Sequence, residues 1–238
     1  AGSEYLLMLL SQILEGKHVI AMENPTYKQA YRVFQSLGYE VCPVEMDANG
    51  MEPELLAKSG ANAAYVMPSH QFPTGIVMPV GRRQELLKWA VETPDRYIIE
   101  DDYDSEFRYR GKPIPALQGM DRSGRVIYLG TFSKCIAPAI RVSYLVLPMQ
   151  LLARYRSQTS FYASTVSRID QNILYQFLSG GYFERHLSRL KKFYHAEGER
   201  LKRILKQSVL LPAVSVDGGE SGTHLLVKVD TSMTDTEI

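Results

Sequence analysis

The chain has few of the features that mark specialised proteins. It holds two cysteines in 238 residues, Cys42 and Cys135, with no CxxC spacing and no histidine partner pattern. Neither a disulfide framework nor a cysteine-based metal site is supported, and a reducing, cytoplasmic setting is the expectation. No sign of charge dominates: 27 basic residues face 26 acidic ones for a net charge of +1, without a block of like charge that could track phosphates along DNA. This stretch is therefore not expected to bind nucleic acid. The apolar run over residues 6 to 14 is too short to span a bilayer and has no basic leader before it, so neither a membrane anchor nor a signal peptide is expected. Internal repeats and low-complexity segments are missing as well.

What is present is enough apolar material, 45% of residues, to fill a substantial core. Helix-period segments alternate with short β-branched or aromatic runs, the pattern of a mostly parallel sheet covered by helices. Helices are predicted over residues 4–15, 27–37 and 82–92, with a short one opened by Pro53 in a permitted first-turn position. Strands are predicted over 18–22, 40–44, 63–67, 97–100, 126–129 and 142–147. The second half reads as helices over 149–157, 167–178 and 182–207, then as strands over 210–216 and 224–229 with Gly218, Gly219 and Gly222 at the turn. Two strands cannot bury a core alone. The expectation is an α/β large domain over residues 1–207 and, over 208–238, the beginning of a C-terminal α+β small domain that is cut off.

Two clusters carry chemistry. Thr131-Phe132-Ser133-Lys134 follows a strand, with Arg141 seven residues after the lysine. A lysine that attacks an aldehyde must lose its proton, which partial burial beside a cation would favour. The hydroxyls of Thr131 and Ser133 and the guanidinium of Arg141 could hold a phosphate dianion. Taken alone, a Ser-Lys pair reads more readily as a solvated surface lysine. The second cluster, Ile98-Ile99-Glu100-Asp101-Asp102-Tyr103-Asp104, puts consecutive carboxylates at the C-terminal end of a strand, where ligands of open α/β sheets bind. A carboxylate such as Asp101 beside a pyridine nitrogen keeps it protonated, so that the ring serves as an electron sink. Acidic residues after a strand can also simply cap the next helix.

Together these motifs, over about residues 2 to 207, resemble fold-type I pyridoxal 5′-phosphate (PLP)-dependent aminotransferases, and more narrowly the aminotransferase-like domain of MocR/GabR-type bacterial transcriptional regulators. The resemblance implies a seven-stranded, mostly parallel sheet flanked by helices. It implies Lys134 as the Schiff-base lysine, Asp101 at the pyridine nitrogen, Tyr103 at the cofactor's phenolic oxygen and Tyr27 stacked on its ring. Gly2-Ser3-Glu4 falls where the family turns into a helix whose N-terminal amides accept the phosphate. Residues 68–75 match a loop that reads Asn-Pro-Thr-Gly in many aminotransferases; here Phe72 takes the asparagine's place, leaving open whether His70 or Gln71 supplies the polar contact. The implied partners are a small amine or amino-acid effector, a second copy of the chain, and DNA through a winged-helix domain lying outside this sequence. A working aminotransferase is the alternative, and a degenerate dimerisation domain a weaker one.

Overall fold

The computed structural model describes residues 2–14, 19–159, 161–207 and 214–232. A seven-stranded sheet in the order β3-β2-β1-β4-β5-β6-β7 forms its centre. The strands are β1 (Val19–Asn24), β2 (Glu40–Asp47), β3 (Gly50–Met51), β4 (Ala63–Val66), β5 (Tyr97–Asp101), β6 (Val126–Thr131) and β7 (Ser143–Val146). Strands β2, β1, β4, β5 and β6 run parallel, and the edges β3 and β7 pair antiparallel. This is the predicted α/β architecture. Predicted strand residues His18 and 210–213 lie outside the described residues.

Central strands look continuously apolar because both faces are buried, yet their side chains divide between two layers with period two. Ile20, Met22, Tyr65, Ile99, Ile127 and Leu129 face one core with helices α1 (Ser3–Ile13), α2 (Lys28–Ser36) and α6 (Met149–Gln158). Ala21, Ala64, Val66, Ile98 and Val126 face the other, which holds Leu56 of α3 (Pro53–Lys58) and Leu86 and Trp89 of α4 (Val80–Glu92). The second layer also takes Leu117 of α5 (Leu117–Met120), a single turn too short to leave a periodic signal. Beyond the sheet, α7 (Arg168–Ser179) starts at Ser167, whose Oγ accepts from the Asp170 amide at 3.1 Å.

The long helix α8 (Tyr182–Gln207) buries no residue fully and touches the loops after β6 and β5 through Phe183 against Phe132 and Tyr194 against Phe107. Strands β8 (Val214–Gly218) and β9 (Leu225–Val229) form a separate hairpin. It docks through backbone bonds from Gly222 N–H to the Phe107 carbonyl (2.7 Å) and from Tyr109 N–H to the Glu220 carbonyl (3.0 Å).

Strand order reverses at β1: the chain first builds outward to β2 and β3, then returns past β1 to add β4, β5 and β6. That switch opens a crevice at the C-terminal strand ends. The loop between β4 and α4 is fixed there by Arg83, which is almost fully buried. Its Nε donates to the Met78 carbonyl (3.0 Å), Nη1 to Pro115 (3.0 Å) and Nη2 to Pro68 (2.7 Å).

Glu23 near the end of β1 is also buried. Its Oε2 accepts from the Met67 amide at 3.3 Å, and desolvation pushes its carboxyl up to about 7 from an ordinary 4.5. Between those values the folded chain holds a proton that the unfolded chain has released. Glu23 therefore contributes stability below about pH 4.5 that is lost as pH rises toward 7, by at most about 1.4 kcal/mol per pH unit. Urea denaturation at a series of pH values should give a shallower fall for Glu23→Gln than for the parent across this window.

Candidate functional site

The C-terminal ends of β4, β5 and β6 and the N-terminus of α1 enclose a cavity of about 300 Å³. Nine of the ten residues singled out from the sequence line it: Ser3, Glu4, Tyr27, Asp101, Tyr103, Thr131, Ser133, Lys134 and Arg141. They come from five separate segments, each placed by a strand end or a helix start.

One end of the cavity is built for an anion. Helix α1 begins at Gly2 without a side-chain cap, so its first amides and its partial positive charge face the cavity. Arg141 stands over it in a left-handed backbone conformation (φ 47°), uncommon for a residue with a side chain. Its guanidinium lies so close to Gly2 that a Cβ there would be 2.0 Å from Nη2. A side chain at position 2 would push the guanidinium aside. Arg141 Nη2 reaches Glu4 Oε2 at 3.3 Å, a solvent-exposed pair that an incoming dianion could displace at small cost. Nearby, the Thr131 hydroxyl accepts from the Ser133 amide (3.2 Å) and lies 3.2 Å from Ser133 Oγ.

The other end is acidic. Asp101 accepts a hydrogen bond from the Tyr65 hydroxyl, and burial raises its carboxyl to about 6 against the lowering effect of that bond. Neighbouring Asp102 accepts from Tyr128 and, at 2.7 Å, from Ser105. Glu100 points to the opposite face of β5, where it takes the amides of Leu117 (2.8 Å) and Gln118 (2.9 Å) and lies 4.0 Å from Arg83. Strand alternation thus decides which acid reaches the cavity. Tyr103 is half-buried with its phenol held in the protonated form, first by burial and then by the Asp104 charge. Tyr27 caps the start of α2 and packs edge-on against Phe72, with ring centroids 6.0 Å apart.

Two expectations need correction. Lys134 is exposed, whereas partial burial beside a cation was expected; its Nζ donates to Thr223 Oγ1 at 3.0 Å and lies 5.6 Å from the Tyr103 ring centroid. Its position beside the hairpin, on a loop turning away from β6, leaves it reachable by solvent. His70 does not line the cavity: its buried ring stacks behind Tyr103 (6.2 Å) and packs on His224 (4.4 Å). Gln71 is occupied within the loop, donating to the Pro25 carbonyl (2.7 Å) and accepting from Thr74 N–H (3.0 Å). Phe72 is the loop residue that reaches the cavity. Sequence reasoning missed Tyr65 and Thr223. Tyr65 had a signal, since a phenol in an otherwise apolar strand needs a buried partner; Thr223, eighty-nine positions from Lys134, had none.

An open α/β sheet with an anion cradle and a buried carboxyl at its switch point defines a class of cofactor-binding proteins. The family model for class I and II aminotransferases matches residues 1–235, and the chain belongs to that family. It is 39% identical over 229 residues to the uncharacterised HTH-type transcriptional regulator YdeL of Bacillus subtilis, covering 96% of this chain and 49% of YdeL. It is 34% identical to the probable rhizopine catabolism regulatory protein MocR of Rhizobium meliloti, covering 98% of this chain and 47% of that protein. The chain thus spans about half the length of these relatives. Among solved structures, a multiple substrate aminotransferase from Thermococcus profundus superposes with a TM-score of 0.84 at 29% identity, over 99% of this chain and 60% of that one. The cofactor of this family is PLP. The cavity fits it: an uncapped helix start with an arginine suits a phosphate, and a buried carboxyl suits a pyridinium.

The Tyr65 hydroxyl stabilises ionised Asp101, so Tyr65→Phe should raise the Asp101 carboxyl above about 6, as read by carbon-13 NMR titration. The same change should cost about 1–3 kcal/mol in urea denaturation, because a buried acceptor loses its donor.

Proposed function

We propose that this chain is the PLP-binding, effector-sensing domain of a MocR/GabR-type transcriptional regulator. The observation that carries the reading is the cavity itself, where Lys134, Asp101, Tyr103 and Arg141 converge with the start of α1. In this reading the α1 amides with Ser3 and Glu4 at their head, Arg141, Thr131 and Ser133 hold the phosphate. Tyr27 lies against the ring. Asp101, in its ionised form, keeps the ring nitrogen protonated, and the hydrogen bond from the Tyr65 hydroxyl favours that form. Tyr103 donates to the phenolic oxygen, and Lys134 supplies the amine that holds the cofactor covalently. When bound, PLP provides an electron sink for amines.

The regulator reading draws its support from relatives such as YdeL and MocR, whose names describe regulators and whose length is about twice the span matched. In such a protein the ligand is a small amine or amino acid, DNA is bound through a winged-helix domain, residues 208–238 begin a second domain, two copies pair, and the setting is cytoplasmic. A transaminase would use the same residues, with the amine of Lys134 moving a proton.

Full-length protein reconstituted with PLP should absorb near the violet edge of the visible, and Lys134→Ala should remove that band. A band that survives the substitution would sink the cofactor assignment. Multiple turnover of an amino donor with a keto acid would overturn the sensing reading in favour of the enzyme.

A further inference from the structure

Behind the Tyr103 ring, on the side away from the cavity, three segments bring together groups that the cofactor site does not use. His70 comes from the loop after β4, Asp104 from just after β5, and His224 from the hairpin immediately before β9. One nitrogen of each imidazole and one carboxylate oxygen all lie within 4.8 Å of one another. His70 and Asp104 are 1% and 3% exposed.

Among the described residues, His70 Nδ1, Asp104 Oδ1 and both ring nitrogens of His224 are buried without a hydrogen-bond partner. Each such atom costs about 1–3 kcal/mol. A group of them converging on one point calls for an ion or a water that satisfies them together. The backbone is shaped around the cluster. Asp104 takes a left-handed conformation (φ 56°), and its other oxygen is fixed by the Thr223 amide (3.0 Å) and hydroxyl (2.7 Å). At Gly222 (φ +73°) a Cβ would fall 1.9 Å from His70 Cε1, so only glycine lets the hairpin close onto the imidazole and deliver His224 beside it.

We propose that His70, Asp104 and His224 form a binding site for a divalent transition-metal ion of the zinc class, which clamps the β8–β9 hairpin to the loops at the ends of β4 and β5. Two imidazoles with one carboxylate suit zinc and its neighbours, whereas magnesium and calcium prefer all-oxygen shells. On a tetrahedral zinc, ligand atoms each bonded at about 2.1 Å stand about 3.4 Å apart, so side-chain rotation that draws the three groups together completes the site. His224 also lines a cavity of about 380 Å³ between α8 and the hairpin. The site does not depend on the PLP reading.

The test is cobalt(II) titration of the full-length, PLP-loaded protein, with zinc competition by calorimetry. One cobalt per chain should bind with the visible d–d bands of a low-coordinate ion, and zinc should displace it. His224→Gln and His70→Gln should each weaken binding at least a hundredfold, and Asp104→Asn at least tenfold. His195→Gln, a histidine outside the cluster, should bind as the parent does. Folding of each variant is checked by far-UV circular dichroism, and the half-buried His224 decides alone should His70→Gln not fold. Absence of a stoichiometric cobalt site, or binding unchanged in His224→Gln, overturns the proposal and leaves a buried water as the group satisfying these atoms.

Discussion

Everything around the cavity follows from how the chain accommodates four carboxylates between Glu100 and Asp104, at the end of a strand buried on both faces. Buried acids are costly unless each finds donors, and no single cation is close enough to serve all four. Glu100 receives the first amides of α5 with Arg83 close by; Asp101 and Asp102 receive the phenols of Tyr65 and Tyr128; Asp104 receives Thr223 from the hairpin. Donors from neighbouring strands, a helix start and a distant hairpin are thereby pulled to one strand end. The same solution holds the loop before α4, since Arg83 near Glu100 also takes the Pro68 and Met78 carbonyls.

Hydroxyl and amide donors satisfy hydrogen bonds without adding compensating charge. The cavity therefore stays acidic at the β5 end, while Arg141 and the start of α1 make the opposite end cationic. A ligand with a dianion at one end and a protonatable ring nitrogen at the other matches that polarity. Desolvation, with the Asp102 charge adding to it, lifts the Asp101 carboxyl to about 6, and the Tyr65 hydroxyl opposes that rise.

Much of this was legible in the sequence, for identifiable reasons. Central strands announce themselves as apolar runs, so β4, β5 and β6 were placed to within two residues, and with them the strand ends and turns that carry Asp101, Tyr103, Thr131 and Lys134. The two-residue β3 and the four-residue α5 were not visible, because elements that short show no periodicity. The facing of Glu100 against Asp101 needed the strand's phase. The exposure of Lys134 and the removal of His70 from the cavity depend on where the hairpin docks. That docking rests on glycine and backbone contacts at Gly222 and Phe107 that no local pattern encodes. Cysteine and histidine spacing likewise gave no hint of a metal site, since His70, Asp104 and His224 meet only through the fold.

Tyr103 links the two halves of the site. One side of its ring belongs to the cavity wall, and the other lies parallel to His70 at 6.2 Å. Thr223 adds a second link, accepting from Lys134 on one side while holding Asp104 on the other. Lys134 and the hairpin therefore share one hydroxyl, and a change in the lysine's hydrogen bonding cannot leave that hydroxyl undisturbed. Because Asp104 is buried and its Oδ2 takes both of its donors from Thr223, displacing the hairpin would strand the carboxylate. That penalty opposes displacement of the hairpin and ties its position to the carboxylate just after the end of β5.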